Sequence, residues 1–361
     1  MRIELRRRGA PSPFFQAMSP LIALVLTIVL GSFLFLTLGK SPVAAFHAYF
    51  IEPLSEVWSI HELLVKATPL ILIGCGLALA FRSANWNIGA EGQFVVGGIA
   101  GSLVPVLFPE LSSPLLLPLV LVCGVAGGAL YAAIPALLKT RFGANEILTS
   151  LMLVYVAALL LDWLVRGPWR DPGGYGFPGT QAFDASALLP DMVTRGAFGG
   201  GAHYGFVLAI IVVLATGVLA GRTLKGFEIA VVGEAPRAGR FAGFDARRTT
   251  IFVFLLSGGL AGLAGIVEVT GNVDKLDEKL SLGYGFSAII VAFLGRLNPY
   301  GVFVAGLLLA LTYLGGEAAQ ISVGVSDKVA SVLQGLLLFL VLAADTLIHY
   351  RPVIRRTPGV A

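Results

Sequence analysis

Charge is scarce in this chain. Asp, Glu, Lys and Arg make up 13% of its 361 residues and apolar residues 57%, and the mean hydropathy is +0.87. A water-soluble domain carries roughly a quarter of its residues as charges, so a soluble globular fold is excluded and a polytopic membrane protein is indicated. Cysteine is nearly absent. Cys75 and Cys123 both lie inside apolar runs, which excludes a disulfide framework and a thiolate metal site and leaves two small core residues. The four histidines, His47, His61, His203 and His349, are scattered over different loops and ends, without metal-ligand spacing. No segment matches G-x-x-x-x-G-K-[ST], so there is no P-loop to cradle ATP phosphates. No grouping of nucleophile, base and acid is legible either. The expectation is a chain with no catalytic residue, metal or cofactor and no nucleic-acid partner.

What the chain does have is apolar runs of spanning length. Clear spans fall at Leu21–Leu38, Leu63–Ala80, Leu115–Leu138, Ile147–Val165, Gly205–Ala220, Thr249–Thr270, Gly301–Leu314 and Val329–Ala344. Two more are interrupted: Ile88–Leu107, broken by Glu91, Gln93 and several glycines, and Phe286–Leu297, too short to cross as one helix. The predicted fold class is therefore all-α, a transmembrane helical bundle of about ten spans in a single domain, 1–361. With a cytoplasmic N-terminus, one side collects 17 of the 25 basic residues: four arginines of the N-terminal arm (1–20), Arg82, Lys139, Arg141, six between 221 and 248, Arg296, and three in the tail (349–361). That asymmetry sets the direction, with both termini cytoplasmic. Leu21–Leu38 exceeds a typical signal-peptide core, which predicts an uncleaved anchor.

Polar intervals carry the remaining information. Residues 166–204, dense in Gly and Pro, form a predicted outer loop with tight turns that docks an external partner, caps a pore or merely connects spans across the outer face. The cytoplasmic interval 221–248 is more specific. Glu234 precedes Pro236, which suits a first helical turn because its missing N–H costs nothing there. The residues after it put Ala238, Phe241 and Ala242 on one face and Arg237 and Arg240 on another, and Gly243 is placed to end the helix. Such a helix fits a groove on another protein or rests on anionic lipid headgroups; its spacing alone leaves both open.

The stretch NWNIGAEGQ, Asn85 to Gln93, puts amides and a carboxylate between two apolar runs. An acid at mid-bilayer costs roughly 2.5 to 3.5 kcal/mol, so Glu91 should not face lipid. Broken helices are tolerated where buried in protein or lining a wet cavity. Asn85, Asn87, Glu91 and Gln93 therefore either line the inner translocation path or satisfy backbone groups freed by the break. Asn145 and Glu146 start a span, Asn145 as a helix cap with Glu146 in the first turn; capping and a direct transport role both fit. The glycines of SGGLAGLAG and CGVAGG predict close helix packing. The interruptions near 88 and 290 suggest an internal structural repeat. Glu268, Glu317 and Asp345 fall near predicted span ends, where side chains reach the interface.

FRSANWNIGAEGQ, GANEILTSLML and RTLKGFEIAVVGEAPRAGRFAGF together resemble the permease subunits of ABC importers. The resemblance is to the branch for nucleosides and simple sugars that works with basic-membrane-protein-type binding lipoproteins, with ribose and branched-chain amino-acid permeases as more distant relatives. It covers nearly the whole chain. It implies that Gly226, Phe227, Glu228, Gly233, Glu234, Pro236, Arg237, Ala238, Arg240, Ala242 and Gly243 form the loop that couples to a separate ATPase. It further implies a second homologous permease, an external substrate-binding lipoprotein, and a location in the bacterial inner membrane. The alternative class is an ion-coupled secondary transporter of a small polar solute.

Overall fold

The structure, a computed structural model, describes residues 2–7, 13–192, 201–280, 283–324, 326, 328–329, 331–333, 335–336, 339–340, 343 and 350–355. Parts of the expected arm, outer loop and tail, and much of the expected span Val329–Ala344, lie outside the described residues, as does Asp345. The chain divides into two compact units, 1–55 with 311–361, and 56–310.

In the first unit, strand β1 (Arg2–Arg7) pairs antiparallel with β2 (Tyr350–Arg355), from Arg2 opposite Arg355 to Arg7 opposite Tyr350. This ribbon is an addition to the helical class, and it brings the N-terminal arm and C-terminal tail together. Helices α1 (Pro13–Thr37), α2 (Pro42–Phe50) and α3 (Glu52–Ser55) follow β1. α2 starts where Pro42 needs no donor and the Ser41 hydroxyl caps it. Phe35, Ala45, Ala48, Tyr49, Ala319 and Leu333 make this unit's core.

The second unit is built around α4 (Val57–Arg82), buried almost continuously from Val65 to Phe81. A helix apolar all round belongs in the middle of a bundle. α5 (Ala90–Leu107), α6 (Leu116–Phe142), α7 (Glu146–Arg166) and α8 (Gly205–Arg222) follow. After them come two short helices, α9 (Leu224–Glu234) and α10 (Pro236–Phe241), then α11 (Ala246–Glu268), which runs on through a π-helical turn, Val269–Val273. α12 (Tyr284–Leu294) and α13 (Pro299–Val323) follow, the second running past residue 310 into the other unit's part of the chain. α11 packs along α4, α5 and α6, while α8 and α12 pack on α4. Where α6 crosses α11 the backbones touch: a Cβ on Gly262 would strike the Gly124 carbonyl and one on Gly128 the Gly258 carbonyl, the close approach that the glycine-rich faces predict.

Seven helices among the described residues are long and apolar enough to cross a membrane. α5 is one of them, a continuous 18-residue helix, so the expected break at Glu91 and Gln93 does not occur. Its glycines seat against neighbouring helices instead of loosening it, Gly97 and Gly101 against α11 and Gly92 against α7. α12 has 11 residues, or about 16 Å at 1.5 Å per residue, half a bilayer core. It ends at Gly295 and turns back through Arg296 and Leu297, both with positive φ, into α13.

Candidate functional site

The turn between α4 and α5 and the start of α5 bury four polar side chains. Asn85, Asn87, Glu91 and Gln93 are each at most 2% exposed. Asn87 and Gln93 exchange two amide hydrogen bonds, Nδ2 to Oε1 and Nε2 to Oδ1, both 2.8 Å, and Asn87 Nδ2 also donates to Ser257 Oγ of α11 at 3.0 Å. Glu91 accepts from two backbone N–H groups at the start of α12, Gly283 at 2.9 Å and Gly285 at 2.6 Å. A carboxylate at a helix amino end satisfies orphan donors and faces the positive pole of the dipole. Glu91 thus holds the half-span α12 against α5.

Asn85 faces a different group. Its amide donates to Ser83 O and Oγ, and its Oδ1 accepts from Lys139 Nζ at 2.8 Å. The same ammonium lies 2.6 Å from Glu146 Oε1, and the Trp86 backbone also bonds that carboxylate. Asn145 caps α7, its Oδ1 accepting from Ile147 and Leu148 N–H at 2.9 and 3.3 Å. The structure therefore brings Asn85 and Glu146 together through Lys139, and Asn87 and Gln93 together directly. Asn145 is turned to its own helix.

The segment after α8 is more ordered than its sequence suggests. α9 is a full helix capped by Thr223, whose Oγ1 accepts from Gly226 N–H at 3.1 Å. Ile229 is fully buried with Ala80 of α4 and Val253 of α11. Glu228 pairs with Lys225 at 2.9 Å and accepts from the Thr249 hydroxyl. Burial pushes the Glu228 carboxyl up, but the bonds from Thr249 and Lys225 outweigh it and leave it below its ordinary value. Pro236 opens α10, and Gly243 follows it with φ +83°. Every residue of α10 is exposed except Gly239, and Phe241 is 94% exposed. Arg237, Arg240, Ala238 and Ala242 are all on the exposed surface.

One close approach joins the two groups of residues. A Cβ on Gly233 of α9 would strike the Arg82 carbonyl and press on Ser83 Cα, so α9 rests on the last turn of α4, two residues before Asn85. Ser257, Lys139, Gly283 and Gly285 were not among the expected site residues. All four are distant partners of the polar turn, and no local spacing marks them. Glu268, expected to reach the interface, is instead buried at 2% exposure, with Oε1 accepting from Asn272 at 2.7 Å and Oε2 without a hydrogen-bond partner among the described residues. Its position inside the α4–α11 packing removes the route to water. Among the described residues no cluster of His, Cys, Asp and Glu could hold a metal.

A bundle of apolar spans with a half-span, a buried polar turn and an exposed short helix has the architecture of a polytopic membrane protein. Residues 59–342 match the family described as branched-chain amino acid transport system, permease component, and the chain belongs to that family. It is 35% identical to the glucose ABC transporter permease protein TsgB13 of Haloferax volcanii, over 97% of this chain and 94% of that one. It is 29% identical both to the nucleoside permease NupB of Lactococcus lactis, covering 90% of each chain, and to the guanosine permease NupP of Bacillus subtilis, covering 89% of this chain and 92% of that one.

Proposed function

We propose that this chain forms half of the translocation path of an ABC importer for a nucleoside or simple sugar, the solutes named for the relatives above. It sits in the inner (plasma) membrane with its termini, α9 and α10 on the cytoplasmic side. A second homologous permease completes the path, an external binding lipoprotein delivers the solute, and a separate ATPase docks on α10. The β1–β2 pairing supports a common side for both termini, and the basic-residue asymmetry supports its being the inner one.

The carrying observation is the seating of α9. α10 is exposed on the surface, while α9 behind it is fixed to α4 through Gly233 and Ile229 and to α11 through Glu228 and Thr249. A push on α10 therefore reaches the end of α4, and from there Asn85, Lys139 and Glu146 carry it to α6 and α7. Asn87, Gln93 and Glu91 tie the same turn to α11 and α12. In this reading they hold the inner gate closed.

Cysteine at Ala238 or Ala242 should cross-link to a co-expressed ATPase partner in a nucleotide-dependent way. No adduct under any nucleotide condition would remove the docking site. Reconstituted alone with only a proton or sodium gradient, the chain should accumulate nothing; uphill uptake there would establish the ion-coupled class instead.

A further inference from the structure

At the same end of the second unit a pocket of about 430 Å³ opens among the ends of three apolar spans. Arg82 closes α4, Gly217 lies in the last turns of α8, and Asn298 and Tyr300 stand at the start of α13; Arg296 and Glu234 complete the polar lining. The volume suits a small ligand group. We propose that this pocket seats the phosphate of an anionic phospholipid of the cytoplasmic leaflet; the leaflet, though not the site, rests on the orientation given above.

Depth is the first argument. Three apolar spans, α4, α8 and α13, end or begin here, so the pocket lies at the level of the headgroups. Charge is the second. Two guanidiniums, each a rigid fork of donors matched to phosphate oxygens, line the pocket together with one carboxylate, Glu234. By formal charge these three side chains sum to +1, which fits a singly charged phosphodiester. Basic pockets between spans on the inner side are the recognised form of such sites. The third argument is the surface beside the pocket. Tyr300 is 51% exposed, its ring packed against Gly217, and an aromatic at this level is an interfacial anchor. Leu214 and Val218 of α8 and Val304 of α13 continue into the span as exposed apolar residues, a track for an acyl chain. Because Gly233 of α9 rests on the Arg82 carbonyl, a headgroup held by Arg82 would steady the support on which α9 sits.

The test uses the full chain in phosphatidylcholine nanodiscs with a photoactivatable phosphatidylglycerol, followed by peptide mapping. Labelling of the wild type should concentrate at 217–221 and 296–304 and exceed that by a phosphatidylcholine probe about tenfold, the expectation for two basic groups partly offset by one acid. Arg82→Gln with Arg296→Gln should abolish that preference, whereas Arg247→Gln with Arg248→Gln should keep it. Labelling confined to other segments of the wild type, whatever the variants do, overturns the proposal. So does full competition by inorganic phosphate, which would make the site one for free phosphate, or loss of label only on adding an ATPase partner, which would give the pocket to that protein. The probe needs no transport and reaches both leaflets, so failed cross-linking at Ala238 would leave this result standing.

Discussion

Replacing Glu91 by glutamine should free the start of α12. The carboxylate accepts from Gly283 and Gly285 N–H at 2.9 and 2.6 Å with 1% of the residue exposed. Hydrogen bonds to a charged group contribute about 1.5 to 3 kcal/mol each, and a buried donor left without an acceptor costs about 1 to 3 kcal/mol. Glutamine keeps one acceptor, loses the charge that faces the α12 dipole, and turns an NH2 toward the other N–H. One neutral bond then replaces two charge-assisted ones, a net loss of about 3 kcal/mol. That corresponds to a rise of about 100-fold in the open population of this turn. Hydrogen exchange on the purified protein reads it directly: the Gly283 and Gly285 amides should exchange about 100-fold faster, while amides in the middle of α4 hold. Uptake should fall in parallel, because the turn belongs to the proposed gate. Unchanged exchange at both glycines would refute the bonding argument. Wild-type uptake by correctly inserted Glu91→Gln and Asn87→Ala would remove these residues from the path.

Two further outcomes follow from the seating of α9. Gly233→Val should force α9 off the Arg82 carbonyl at about 1 to 3 kcal/mol of overpacking, and ATP hydrolysed per solute imported should rise while assembly with the ATPase persists; an unchanged ratio would mean that α9 carries no force. Glu228 has a lowered folded pKa, so its contribution is complete above its ordinary value of 4.5 and is lost as pH falls through the lower folded value. Thermal stability in acid should therefore depend less on pH in Thr249→Val than in the wild type, and parallel curves would contradict the assigned bond.

Local chemistry was legible where one residue type has one use. Pro236 and Gly243 bracket α10, Asn145 caps α7, and the small residues of α6 and α11 mark their crossing. α9 was not legible, because Gly226 and Gly233 at its two ends read as loop residues. Only Thr223 as cap and the buried pair Ile229 and Val232 three apart betray a helix. The continuity of α5 is illegible for a related reason. Each glycine weakens an isolated helix by about 1 kcal/mol, but Gly97 and Gly101 let α11 approach, and the packing gained outweighs the propensity lost. The partners of Glu91 lie 192 and 194 residues away, a separation that no periodicity encodes.

The distribution of polar bonds bears on how such a bundle can move. Along most of their length α4, α5, α6 and α11 meet through apolar or small residues, contacts set by shape and burial without directional bonds. At the α4–α5 turn the contacts are directional, and each of Asn85, Asn87, Glu91 and Gln93 has a defined partner on another element or on its own turn. Shifting one helix there exchanges whole hydrogen bonds, so intermediate positions leave buried donors unpaired and are disfavoured. The turn is therefore built to hold discrete arrangements rather than a continuum. α9, resting on the residues just before it, is placed where a small displacement chooses between them.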